Sequence, residues 1–117
     1  MGLSTHVLDT MHGCPAAGMA VTLYRWDGAS FNRIKQLVLN ADGRNPDGLL
    51  LAHDALERAQ YRLEFEVSDY FKRKGVTLPE PTFLGRVNLD FGIAQPDQHY
   101  HVPLLVSPWS YSTYRGS

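Results

Sequence analysis

The run Gln60–Val67 constrains this chain more than any other stretch. Tyr61, Leu63, Phe65 and Val67 alternate with Arg62, Glu64 and Glu66, which is the two-residue period of a strand with one face buried and the other wet. Similar readings give strands at Leu3–Asp9, Met19–Trp26 and Phe31–Leu39, and a short one at Leu49–Leu51. Further strands fall within Thr82–Phe91, His99–Ser107 and Trp109–Arg115. Turn formers separate them: His12-Gly13-Cys14-Pro15, Asp27-Gly28, and the loop Asn40–Gly48 with two Asp-Gly pairs and a proline. Ser68 is placed to cap a short helix over Asp69–Lys74 that Gly75 stops. His53–Ala59 also has helical composition, and Pro103 sets the penultimate strand near an edge or bulge. Seven to eight short strands with one short helix describe an all-β, antiparallel sandwich.

Length and charge narrow the function. The 117 residues suit one domain spanning 1–117, without repeats or linkers. Eleven Lys plus Arg against twelve Asp plus Glu give a formal charge of -1, and the longest basic run is Lys72-Arg73-Lys74. That is not the footprint of a nucleic-acid binder. No apolar stretch approaches the roughly 18 residues that cross a bilayer, so no membrane partner is expected. The start, Met1 to Leu8, lacks the basic and apolar regions of a signal peptide. Cys14 is alone and cannot form an internal disulfide. The expected location is the cytoplasm.

Strand parity isolates a candidate site. His99 and His101 share one face of their strand, opposite Tyr100, Val102, Leu104 and Val106, which read as core. On the first strand Ser4, His6 and Leu8 oppose Thr5 and Val7, so His6 faces outward if Val7 faces the core. On the last, Ser110, Ser112 and Tyr114 oppose Trp109, Tyr111 and Thr113. Three strands thus offer His6, His101 and Tyr114 on an outer face. On parity alone, three solvated side chains is the commoner outcome. A zinc site needs a third ligand beyond a His-x-His pair, and no motif supplies one, so neither metal nor other cofactor is expected. No Gly-x-Ser-x-Gly elbow is present. Arg44, in the turn-rich loop, is either an exposed charge or a clamp for an anion or carbonyl.

Four segments together resemble one family. They are Leu3-Ser4-Thr5-His6-Val7-Leu8-Asp9-Thr10 with Gly13-Cys14-Pro15-Ala16, then Asp42-Gly43-Arg44 with Pro46-Asp47-Gly48, then His99 to Pro108, and finally Tyr111 to Ser117. The chain resembles the 5-hydroxyisourate hydrolases, transthyretin-related enzymes of urate breakdown. The ending Tyr114-Arg115-Gly116-Ser117 is the most specific feature, because the hormone carrier transthyretin lacks it, together with the histidines that match His6 and His101. The resemblance implies a transthyretin-like (prealbumin-like) sandwich and hydrolysis of 5-hydroxyisourate. It implies catalytic roles for His6, Arg44, His101 and Ser117, and substrate contacts from His6, Arg44, Tyr114 and Arg115. It also implies a homotetramer, a dimer of dimers, with sites in the channel between dimers. Which histidine is the base stays open, as does the role of Ser117, beside which no dedicated base can be read. The rival is a carrier that binds a small aromatic ligand in the same channel.

Overall fold

A computed structural model describes residues 1–116, in which the alternating runs pair into two sheets. The first sheet holds β1 (Gly2–Asp9), β2 (Cys14–Pro15), β5 (Leu51–Ala52), β8 (Tyr100–Val106) and β9 (Tyr111–Thr113). Its order is β2-β1-β8-β9, with β5 also paired to β1. The second sheet holds β3 (Ala20–Trp26), β4 (Phe31–Val38), β6 (Ala59–Glu66) and β7 (Arg86–Ile93), ordered β4-β3-β6-β7. One helix, α1 (Val67–Arg73), follows β6.

The period-two pattern becomes a two-layer core. Leu3, Val7, Val102, Leu104 and Val106 come from the first sheet, and Val21, Leu23, Tyr61, Leu63, Phe65 and Val87 from the second. All are buried, and each aliphatic or aromatic side chain removed from water contributes about 1.5–3 kcal/mol. Val67, Tyr70 and Phe71 of α1 close one end of the core.

Several local expectations are corrected. Ser68 does not cap the helix. β6 runs directly into α1, Glu66 takes the N-cap position without a side-chain cap, and Gly85 O accepts the N–H groups of Val67 and Ser68 at 3.2 and 3.0 Å. Gly75 does terminate the helix region in the left-handed conformation, with φ 85°. His53–Ala59 yields only a three-residue 3-10 turn, His53–Ala55. The final strand is three residues long, and Cys14–Pro15 pairs with β1 where a loop was expected.

Pairing direction differs in one place. β1 and β8 are parallel, in register from Leu3↔Tyr100 to Asp9↔Val106, whereas the sandwich was expected to be antiparallel throughout. The segment between β7 and β8 crosses from one sheet to the other, and β8 enters beside β1 in the same direction. Alternation reports which face a side chain takes, not which way its neighbour runs. Pro103 sits inside this sheet, one residue past the end of the β8/β9 ladder, where its carbonyl accepts Thr113 Oγ1 at 2.7 Å. Its missing N–H costs no ladder bond there.

Candidate active site

The β1–β8 register opposes Ser4 to His101 and His6 to Pro103. His6 and His101 are therefore diagonal neighbours on the outward face of the first sheet. The inward neighbours Thr5, Val7, Tyr100 and Val102 are buried, while Ser4, His6, Leu8 and His101 are half-buried. The face that parity assigned to the two histidines is the one they occupy.

Arg44 joins them through its loop. Asn40 organises this turn: its side-chain carbonyl accepts the N–H groups of Asp42 and Arg44 at 2.9 and 3.1 Å, and its backbone N–H donates to Arg44 O at 2.9 Å. Gly43 allows the loop to seat on β1. Its φ is 71°, a Cβ there would stand 2.6 Å from Val7 O, and its own carbonyl accepts the Val7 N–H at 3.0 Å. The result is a bridge that opposes Arg44 to His6.

Burial and the Arg44 charge act on both imidazoles in the same direction. Burial lowers the His6 pKa, and the Arg44 charge lowers it further against the raising influence of Asp42. His101 is lowered by burial first, then by Arg44, His6 and His99. Both imidazoles are thereby biased toward the neutral form, which can accept a proton.

The C-terminal segment covers one side. Gly116 N–H donates to His101 O at 2.7 Å, and a Cβ on Gly116 would lie 2.7 Å from His101 Cδ2, so only glycine fits against the ring as it stands. Tyr114 lines a cavity of about 230 Å³ with His6, Leu8, Pro103, Leu104 and Leu105. Arg115, expected at the substrate, turns elsewhere: it donates to Gln98 Oε1 at 3.1 Å and His99 O at 3.0 Å, and stacks 4.0 Å from the Tyr100 ring centroid. Ser117 lies outside the described residues. A larger cleft of about 450 Å³, lined by Leu89, Phe91, Tyr100, Val102 and Tyr111, opens between the β7 and β9 edges. It is lined by the buried face of β8, whereas the histidines occupy the opposite one.

Sequence reasoning passed over two sets of residues. Ser4 Oγ lies 2.8 Å from His101 Nδ1 and 3.3 Å from His99 Nε2, and the Gly2 N–H points at His99 Nδ1 at 3.1 Å. Their shared parity with His6 and His101 was the available signal. The second set is structural. The fully buried Asp9 carboxylate accepts the His12 N–H at 2.9 Å, His12 Nδ1 at 2.6 Å and the Tyr70 hydroxyl at 2.8 Å. Burial pushes the Asp9 pKa up, but these donors outweigh it and hold the group below the usual carboxylate value. Among the described residues, no three His, Cys, Asp or Glu are grouped to hold a metal ion.

A transthyretin-like sandwich with two imidazoles and a guanidinium on the outer face of one sheet defines a narrow class. Comparison with known proteins gives the same class: residues 3–116 match the model of the HIUase/Transthyretin family. The chain belongs to that family. It is 51% identical over 115 residues to a 5-hydroxyisourate hydrolase of Pseudomonas aeruginosa, covering 98% of this chain and 90% of the relative. A crystal structure of (S)-allantoin synthase superposes with a TM-score of 0.93 at 45% identity, over 99% of this chain. The match spans only 43% of that longer protein. Sea bream transthyretin in complex with thyroxine superposes with a TM-score of 0.85 at 26% identity, covering 99% and 95% of the two chains.

Proposed function

We propose that this chain hydrolyses 5-hydroxyisourate, acting as one hydrolase domain over residues 1–117. The observation that carries the reading is the convergence of the half-buried His6 and His101 with the exposed Arg44 on one face, combined with relatives of that name at about half identity. Opening a cyclic amide by water needs a base for the water, a proton for the leaving nitrogen and a stabiliser for the oxyanion. One imidazole takes the water proton and the other places water or substrate. Arg44 presents a planar fork of donors to the polar ring and its developing charge. Tyr114 walls the cavity. The product is 2-oxo-4-hydroxy-4-carboxy-5-ureidoimidazoline. No metal or cofactor is required by this chemistry.

The carrier reading fits the fold equally well but leaves the half-buried histidines and Arg44 without a purpose. We place the working form as a homotetramer, a dimer of dimers. Support comes from the exposed Trp109, Tyr111 and Tyr114, and from a partly apolar outer face carrying Leu8 and Leu105. A cytoplasmic location is consistent with the single cysteine, and no helix among the described residues is long and apolar enough to cross a membrane.

The test generates 5-hydroxyisourate with urate oxidase and follows the decay of its ultraviolet absorbance. Added protein accelerates that decay well beyond the spontaneous rate. Superimposable curves with folded protein present would return the chain to the carrier class.

A further inference from the structure

Gly2, Ser4, His99 and His101 form a chain of hydrogen bonds whose direction is set at one end. The Gly2 N–H lies 3.1 Å from His99 Nδ1. A backbone N–H can only donate, so Nδ1 accepts and carries no proton. The neutral ring then holds its proton on Nε2, 3.3 Å from Ser4 Oγ. Ser4 Oγ accepts it. The Ser4 hydroxyl proton has one partner left among the described residues, His101 Nδ1 at 2.8 Å. His101 Nδ1 is therefore an acceptor, and the proton of that ring sits on Nε2.

We propose that Ser4 and His99 are positioning residues that hold His101 as the neutral Nε2–H tautomer, which makes His101 the donor to the developing oxyanion and leaves His6 as the base. The opposite direction wastes a donor. With the proton on His101 Nδ1, Ser4 Oγ would accept from both rings, and its own hydroxyl proton would have no acceptor among the described residues.

Two further observations support the assignment. Gly116 lies against the Cδ2 edge of the His101 ring and restrains its rotation. Burial, then Arg44, His6 and His99, all disfavour a second proton on His101, and among the described residues these are the charged and titratable groups that act on it.

The roles rest on the hydrolytic reading above, and they balance. His6 removes a proton from water as the new oxygen–carbon bond forms at the ring carbonyl. The carbonyl electron pair moves onto its oxygen, where the His101 Nε2–H and Arg44 hold it. Collapse breaks the carbon–nitrogen bond, and the proton on His6 passes to the leaving nitrogen. His101 keeps its proton throughout, so no imidazolate forms.

The test is a long-range ¹H–¹⁵N correlation spectrum of the histidine-labelled protein, which needs no substrate, paired with kinetics on 5-hydroxyisourate. The native His101 resonances show the Nε2–H pattern. Ser4→Ala turns them into a tautomer mixture and lowers kcat roughly tenfold, the scale of one oriented hydrogen bond, with KM within about twofold. Ser4→Thr restores both readouts. An Nδ1–H pattern for native His101, or native kcat in Ser4→Ala, overturns the proposal. The Nε2–H pattern without any hydrolysis keeps the tautomer but removes the hydrolase reading, and with it the role as oxyanion donor.

Discussion

Replacing Gly116 with Ala tests how tightly the chain end and His101 are fitted. The added Cβ would stand 2.7 Å from His101 Cδ2 and 3.3 Å from both His101 Cβ and Cγ. Carbon atoms rest at about 3.5–4.0 Å, so the closest pair has to separate by roughly 1 Å. Two movements can supply that. The ring can turn, stretching the 2.8 Å contact between Ser4 Oγ and Nδ1, or the chain end can lift, breaking the 2.7 Å bond from Gly116 N–H to His101 O. Either one displaces a group at the site, and a misplacement of about 1 Å is worth on the order of 10²-fold in rate. The core is not involved, because this segment lies beyond the last strand. The expected result is a fall of roughly 100-fold in kcat for 5-hydroxyisourate decay, with a thermal midpoint within about 3 °C of the parent. A kcat within threefold of the parent would refute the argument that the chain end fixes the ring.

Four other outcomes are expected. A base must be neutral to act, and its depressed pKa keeps it so below the ordinary 6.5, so kcat/KM should hold until pH falls through that lowered value. Arg44→Gln removes one lowering influence on both histidines and should move the acid limb upward while reducing the rate; an unmoved limb in the pH profile would contradict the electrostatic coupling. Asp9→Ala strands the buried Tyr70 hydroxyl and frees His12, costing about 3–5 kcal/mol in a urea titration at pH 7. The Asp9 pKa is lowered on folding, so the charge-dependent part of this stability is fully present above about 3.8 and is lost as pH falls through the folded value. The gap between parent and variant should therefore narrow only in strong acid. Chelator-treated protein should keep full activity; stoichiometric zinc whose removal abolishes turnover would show that the His99–His101 pair serves a metal.

The outward placement of His6 and His101 could be read in advance because strand periodicity is strict and the inward residues, Val7, Tyr100, Val102 and Leu104, are plainly apolar. From its loop alone Arg44 reads as either an exposed charge or an anion clamp, and only the family resemblance puts it at the site. Its approach to His6 depends on Asn40 bonding two amides within its own loop and on Gly43 closing against Val7, a contact between segments some 35 residues apart that no local pattern encodes. His12 shows the same limit. The sequence places it only in a turn, yet it satisfies a buried carboxylate with help from Tyr70, 61 residues from Asp9. Ser68 misled because a capping residue can act only where the preceding chain is free to bend away, and β6 continues straight into the helix.

The parallel union of β1 with β8 also has a kinetic side. Ser4 and His101 are 97 positions apart, and their strands can join only after both ends of the chain meet. Pairing of such distant segments is slow, because the entropy of closing the loop is lost before any contact compensates it. The second sheet, by contrast, joins neighbours such as β3 with β4 and β6 with β7. It can nucleate while the penultimate strand is still unsynthesised. Catalytic competence should then appear late in refolding, after most strand signal has returned. A chain released early at its C-terminal end would hold a formed half-sandwich and no working pair of imidazoles.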